Sequence, residues 1–394
     1  MKTKSRWRSH FTVTQAQLTA QAALSGRSKQ QKMSKEAASA QPSANPGMGK
    51  LLKADGIAAK FRADIEQAAA SMAARTRKPC LVGILAASSA PSKSYAQFTK
   101  KNCELIGVEF ILKQVGGALD GGIDGEGVEE VIIEANEDPN IDGIMVYYPI
   151  FGGSQDHYLQ QIVSPFKDVE GLHVKFHYNL YHNIRFIRPQ SLTGMSAAAG
   201  SPTGLAPAAE APEGYVKSII PCTPLGIVKA LEAVGVYNSI LDYGDRAYGR
   251  TITIINRSEV VGRPLAAMLA NDGARVLSVD IDTIQEYTKR PAPKTSGVES
   301  LKRYNPRHVV HPCSLTLEQC LAISDVVVSA VPNANYKVPT EWLKDGCICV
   351  NVATEKNFQL DVREKVSGIH LHAYGGQNNP DDVASEFAKA LPVP

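Results

Sequence analysis

The chain carries little that would commit it to a membrane, a metal or an oxidising compartment. None of its 394 residues lies in an apolar run approaching the ~20 residues that a spanning helix needs. Its seven cysteines, at 80, 103, 222, 313, 320, 347 and 349, form no CxxC pair and no zinc-like spacing with histidine. An odd, scattered set of thiols suggests a reducing compartment. Charge of one sign is also scarce: 42 Lys plus Arg face 39 Asp plus Glu, a net +3. No overall field therefore draws the chain to nucleic acid or to a lipid surface. The 44% hydrophobic and 21% charged residues are those of a globular protein long enough for two domains.

Residues 1–47 differ from the rest. They are rich in Ser, Ala and Gln, and carry eight Lys and Arg, from Lys2 to Lys35, before the first acid at Glu36. A mitochondrial transit peptide has this composition. So does a disordered extension, or a start upstream of Met33 or Met48, and that reading is preferred because composition alone is a weak signal. From residue 49 a helical pattern begins, with Ile57, Phe61 and Ile65 on one face. Strands and helices then alternate: strand 80–87, helix 92–107, strand 109–115, helix 125–138 and strand 142–151. Residues 188–214 are dense in Pro, Gly, Ala and Ser, and read as a flexible surface insertion. The stretch 219–235 reads as a short strand and then a helix with Thr223 as N-cap and Pro224 at the first position. Strands near 251–256, 274–280, 325–330 and 347–352, with helices between them, complete a second alternating block. The fold class is α/β, with two domains changing over near Ile220 and mainly parallel sheets.

One glycine is missing where it would be informative. The stretch "TITIINRSEVVGRPLAAMLANDGARVLSVDIDT" (251–283) reads as strand, turn, helix, strand, the order of a dinucleotide-binding unit, yet the turn opens on Asn256. Asn tolerates the left-handed backbone that glycine usually supplies there. Gly262 allows the helix N-terminus to approach a pyrophosphate, and Pro264 suits the first helical turn. Asp280 follows Gly262 by 18 residues, close to the ~20 at which an acid meets the adenine ribose and repels a 2′-phosphate. The expected cofactor is NAD. Arg257, which would otherwise argue for NADP, is expected at the pyrophosphate or ribose.

"INRSEVVGRPLAAMLANDGA", "IIPCTPLGIV", "KDVEGL" (167–172) and "SYAQFTKKNCELIG" resemble the methylenetetrahydrofolate dehydrogenase/cyclohydrolase family, in the family's chain order. The resemblance spans roughly Met48 to Phe358. It is nearest to the monofunctional NAD-dependent fungal branch, to which "YYPIFGGSQDHYLQQIV" and "NLYHNIRF" are also similar. It implies a folate-binding α/β domain (48–187) and a Rossmann-type NAD-binding domain (215–357), with hydride passing from 5,10-methylenetetrahydrofolate to NAD⁺.

The resemblance also assigns residues. Tyr95 and Cys222 are the catalytic-side contacts; Tyr95, Tyr147, Tyr148, Pro149 and Glu170 bind substrate, Glu170 in the role of the family's pterin-binding aspartate. Asp168 is expected to be structural. Arg257, Ser258, Val261, Gly262, Asp280, Ile281 and Val331 contact the cofactor. No metal is implied, and His173, His177 and His182 read as surface or packing residues. The bifunctional pattern Tyr-x-x-x-Lys is broken, because Thr99 stands at the lysine position and Tyr147 at the glutamine that supports it. A threonine hydroxyl cannot supply a tunable amine, so cyclohydrolase activity is expected to be lost. The family's closing loop and helix are not recognisable after residue 358, and 358–394 reads as a divergent tail. Two other readings remain open here: a non-catalytic folate- or nucleotide-binding homologue, and a mitochondrial bifunctional enzyme. Homodimerisation and a cytoplasmic location are expectations from the resemblance, with mitochondria as the alternative because of the basic, acid-poor N-terminus.

Overall fold

The structure, a computed structural model, describes residues 49–52, 55–192, 211–289, 307–353, 355–365 and 369–372. The segment 1–47, most of the 188–214 insertion and the end of the 358–394 tail lie outside the described residues.

Strand β1 (Lys50–Leu52) and helix α1 (Asp55–Arg75) lead into the first domain. There β2 (Cys80–Leu85), α2 (Ala90–Leu105), β3 (Glu109–Gln114), α3 (Val128–Glu137) and β4 (Gly143–Val146) alternate, followed by α4 (Ser154–Ile162) and α5 (Val174–Tyr181). The three strands pair in parallel in the order β3-β2-β4. Every residue of β2 and β4 is buried, which is why "CLVGIL" and "GIMV" read as short unbroken apolar runs instead of alternating ones. The short pair β5 (Phe186–Ile187) and β6 (Val216–Lys217) flanks the insertion.

The second domain contains α6 (Cys222–Ala233), β7 (Thr251–Ile255), α7 (Gly262–Asn271), β8 (Arg275–Val279), β9 (Ile284–Thr288), β10 (Val309–Pro312), α8 (Leu317–Ile323), β11 (Val326–Ser329), β12 (Ile348–Asn351) and β13 (Ile369–His372). Its eight strands run in the order β1-β13-β12-β11-β7-β8-β9-β10. Pairing is parallel from β1 to β8, while β9 and β10 add an antiparallel edge. One core joins α6, α7, β7, β8 and β11, through Ile227, Leu231, Ile252, Ile254, Leu265 and Leu269 among others, and also takes in Ala58 of α1.

Two α/β domains are thus present, with several local departures from expectation. The helix expected from residue 49 starts at Asp55, because Lys50–Leu52 form a strand on β13. Ile57, Phe61 and Ile65 are only half-buried; the buried positions of α1 are Ala58, Ala69 and Met72. Thr223 is not the cap of α6. The helix begins one residue ahead of it at Cys222, with extended Pro221 as N-cap and no side-chain capping bond. The short strand expected at 219–221 is found instead at Val216–Lys217. Between β8 and β11 the chain forms the antiparallel pair β9 and β10 ahead of α8, where only helix was expected. The start of the supposed tail is integrated: Phe358 and Val362 are buried in a core cluster, and β13 completes the sheet.

Candidate active site

In an open parallel sheet, ligands bind beyond the carboxyl ends of the strands, where the strand order reverses. Each domain has one such point. In the first sheet it lies between β2 and β4, where the chain passes into Tyr147 and Tyr148. In the second it lies between β7 and β11, where it passes into Asn256 and Ala330.

At the first point Tyr147 is 2% exposed and meets Tyr95 edge to face, the ring centroids 5.6 Å apart. Tyr95 is half-buried on α2, one turn before Thr99. The Thr99 hydroxyl donates to the Tyr95 carbonyl at 2.9 Å. The Tyr147 hydroxyl faces Thr99, and burial raises its pKa far above the ordinary phenol value. Tyr148 is half-buried, with its hydroxyl buried and unpartnered among the described residues, and a cis bond joins it to exposed Pro149. Beyond the proline, Asp156 accepts the main-chain N–H groups of Ile150, Phe151 and Gly152 at 3.0–3.2 Å, fixing the loop.

The segment Lys167–Gly171 runs beside β4, bridged at Ile144–Asp168. Asp168 is buried and accepts three main-chain N–H groups, from Glu170, Gly171 and His173, at 2.8–2.9 Å. Its carboxylate is thereby fully engaged in holding the turn, as expected of a structural residue. Lys167 is equally structural, its ammonium donating to the carbonyls of Ala135 and Asp138 at 2.8 and 2.7 Å. Glu170 accepts the Val146 N–H at 3.1 Å. Burial, then the neighbouring Asp168 charge, raise its pKa to about 8, against the pull of the Val146 bond.

Gly171 has φ +70°, and a Cβ there would lie 2.9 Å from the Ile220 carbonyl carbon. This close approach brings the Glu170 turn against the segment that opens α6. Cys222, the first residue of α6, is half-buried, and its thiol is pushed up to about 12 by burial and then by the Glu170 charge. It stays a neutral thiol, not a nucleophile.

At the second point Asn256 adopts φ +84°. Its amide donates to the Ala330 carbonyl at 2.9 Å, and its Oδ1 accepts the Ser258 N–H at 3.0 Å, so it spans both sides of the reversal. A Cβ on Gly262 would sit 1.9 Å from the Asn256 carbonyl oxygen. Glycine there is a steric necessity, and the cradle it leaves suits a pyrophosphate. The Ser258 hydroxyl accepts the N–H groups of Val261 and Gly262 over long bonds of 3.3 and 3.4 Å. Asp280 follows β8 in a hairpin loop, half-buried, and Ile281 beside it is 94% exposed. Arg257 does not lie free at the turn. Its guanidinium reaches across the end of β8 to Ser278 and Thr283, flanking the Asp280 loop.

Val331 is held through its N–H and carbonyl, both at 3.0 Å, by the amide of fully buried Asn357, which also accepts the Ser329 hydroxyl at 2.9 Å. The sequence reading missed Asn357, Asp156, Ser278 and Thr283. Asn357 acts on main chain 26 residues away, Ser278 and Thr283 hold the Arg257 side chain from 21 and 26 residues away, and Asp156 closes a nearby loop without a recognisable spacing. The histidines are structural: His173 caps α5 by accepting the Lys175 N–H at 3.1 Å, and burial lowers its pKa to about 4. Among the described residues no group of His, Cys, Asp and Glu is arranged to hold a metal.

Comparison with known proteins agrees with this layout. Residues 52–170 match the catalytic domain of tetrahydrofolate dehydrogenase/cyclohydrolase, and residues 221–292 its NAD(P)-binding domain. A methylenetetrahydrofolate dehydrogenase [NAD(+)] of Schizosaccharomyces pombe is 44% identical over 297 residues, which are 75% of this chain and 80% of that one. The Saccharomyces cerevisiae protein of the same name is 44% identical over 291 residues, 73% of this chain and 79% of its own. The solved structure of the NAD-dependent 5,10-methylenetetrahydrofolate dehydrogenase from Saccharomyces cerevisiae superposes with a TM-score of 0.70 at 38% identity, covering 88% of this chain and 95% of that one.

Proposed function

The chain belongs to the tetrahydrofolate dehydrogenase/cyclohydrolase family, and from that premise we propose that it oxidises 5,10-methylenetetrahydrofolate to 5,10-methenyltetrahydrofolate with NAD⁺, without cyclohydrolase activity. The observation that carries the reading is the contact of Gly171 with Ile220. It joins the two domains where Glu170 of one meets Cys222 of the other, so a folate held at the first reversal point abuts the cofactor domain.

NAD⁺ supplies the hydride acceptor. The chain's own work is positioning, because donor carbon and acceptor must meet within about 3–3.5 Å. Glu170, as a carboxylate, accepts the N–H donors of the pterin edge, fixed from behind by the Val146 N–H. Tyr95, edge-on to Tyr147, offers a ring face to the folate. Tyr148 and Pro149 form the strand-end wall, and the neutral Cys222 thiol is a contact at the domain junction. The Asn256–Gly262 turn with Ser258 and Val261 receives the pyrophosphate. Asp280 and Ile281 receive the adenosine, and Val331, braced by Asn357, the loop opposite.

Hydrolysis of the methenyl product calls for a base or amine near the reacting carbon. Position 99 carries a hydroxyl already donated to the Tyr95 carbonyl, and position 147 a phenol whose pKa is far above neutrality. Both support a dehydrogenase alone. The protein is further read as a homodimer of cytosolic one-carbon metabolism, with no nucleic-acid or membrane partner. No helix among the described residues is long and apolar enough to cross a membrane.

The test is turnover of purified protein with 5,10-methylenetetrahydrofolate and either NAD⁺ or NADP⁺, followed by acid workup. Methenyl product is expected with NAD⁺, persisting in neutral buffer no less long than without enzyme. Folate binding with no turnover would point to a non-catalytic homologue, and rapid loss of the methenyl product to a bifunctional enzyme.

A further inference from the structure

The position of Arg257 poses a physical problem. It follows Asn256 directly, at the mouth of the cofactor turn, and a guanidinium is permanently charged. Such a cation near the adenosine ribose would favour a 2′-phosphate and would also neutralise the carboxylate that is to exclude it. The structure shows where the charge goes. Nε donates to the Ser278 hydroxyl at 3.0 Å and Nη1 to the Thr283 hydroxyl at 3.0 Å. Nη2 donates to the carbonyls of Ser278 at 2.6 Å and Thr283 at 3.0 Å. Four bonds thus occupy a group with five N–H donors. The same Thr283 carbonyl accepts the Asp280 N–H at 2.9 Å, closing the loop from 280 to 283. Asp280 itself is left with the Ile281 N–H at 3.0 Å, and among the described residues it forms no ion pair with Arg257.

We propose that Ser278 and Thr283 are positioning residues for cofactor selectivity: they hold the Arg257 guanidinium in the hairpin, away from the ribose 2′ position, and leave Asp280 an unneutralised carboxylate. Selectivity then has two parts, repulsion by Asp280 and sequestration of the nearest cation. The inference rests on the NAD reading above and deepens it. It also explains why Arg257 does not make the site one for NADP. A donor whose hydrogen bonds are satisfied in fixed directions gains little by turning to a new anion.

The experiment is calorimetric titration of the full chain with 2′,5′-ADP and with 5′-AMP, which differ only in the 2′-phosphate. The proteins are wild type, Thr283→Val, Thr283→Val with Ser278→Ala, and Thr283→Ser. Loss of both hydroxyl acceptors leaves only the two carbonyl bonds of Nη2 and releases Nε and Nη1, and affinity for 2′,5′-ADP relative to 5′-AMP is expected to rise about tenfold in the double variant, the size of one charged hydrogen bond. Thr283→Ser keeps the hydroxyl and should behave as wild type. Adding Asp280→Ser should raise the ratio further. An unchanged ratio with 5′-AMP binding intact overturns the proposal, and so does equal weakening of both ligands, which would make Thr283 a loop support only. Wild type that binds neither nucleotide overturns the cofactor reading itself, and the inference with it.

Discussion

Glu170 accepts one main-chain N–H, from Val146, and its charged or polar neighbours are Asp168, Cys222 and the phenols of Tyr147 and Tyr148, none of them cationic. Its pKa is raised from 4.5 to about 8, burial being the larger cause and Asp168 the next. The folded chain therefore holds a proton that the unfolded chain releases above the lower value. This contribution to stability is complete at acid pH and is lost as pH rises toward about 8. Glu170→Gln should remove that decline, so thermal melts of wild type and variant should converge at acid pH and separate, with the variant higher, on the alkaline side. A pterin edge presents donors and so requires the carboxylate. Folate affinity of wild type should accordingly improve over the same rise in pH, and in Glu170→Gln it should be weak and flat. Titration of a folate analogue across the range checks both. At this scale the sequence was readable wherever a residue acts on its near neighbours. Asn256 was read as tolerating the left-handed region from its type and its place at the opening of the turn. The reach of Arg257 to Thr283 was not, because side-chain direction depends on a hairpin that local pattern does not disclose.

At the scale of elements, buried parallel strands announce themselves as apolar runs, and "CLVGIL", "TITII" and "VVVS" were all recognised within a residue or two of their limits. The failures were elements with mixed exposure. Strand β9 is half-buried at four of five positions and β10 alternates between half-buried and exposed, so neither shows an apolar run. Strand β1 has three residues and no partner nearby in sequence, so nothing local separates it from the helix that follows. The turn between β7 and α7 depends on one atom's room. Gly262→Ala would drive a Cβ to 1.9 Å from the Asn256 carbonyl oxygen. The turn must shift, with an expected loss of about 1–3 kcal/mol in urea unfolding and a marked rise in KM for NAD⁺ at little change in KM for folate.

For the whole molecule, the two domains are joined by a seam along α5 and α7. The Asn271 amide donates to the Leu180 carbonyl at 3.1 Å, and Arg185 pairs with Asp272 at 2.7 Å while Tyr237 donates to the same carboxylate at 3.1 Å. Tyr181 reaches Glu259 at 3.1 Å across the same seam. Asp272→Ala leaves Arg185 with its charge largely buried and its carboxylate gone, and is expected to cost about 3–5 kcal/mol, read as a lower urea midpoint. The seam was hidden from sequence reading because its partners are far apart along the chain: "NLYHNIRF" and "INRSEVVGRPLAAMLANDGA" were each recognised, but nothing local shows that they meet.

The pairing of β1 with β13 gives the chain an unusual birth order. Lys50 lies beside Ile369, and almost everything between them, including the entire first domain, is synthesised in the interval. A ribosome delivering the chain from its amino end completes the first domain's sheet early. The edge of the second domain must wait for its last strand, and β1 waits with it as an unpaired strip of backbone. A nascent chain halted shortly before residue 369 would thus carry a finished folate domain, an unpaired β1 and a second sheet left open at β12. Such a chain is a template for pairing with its neighbours until translation resumes.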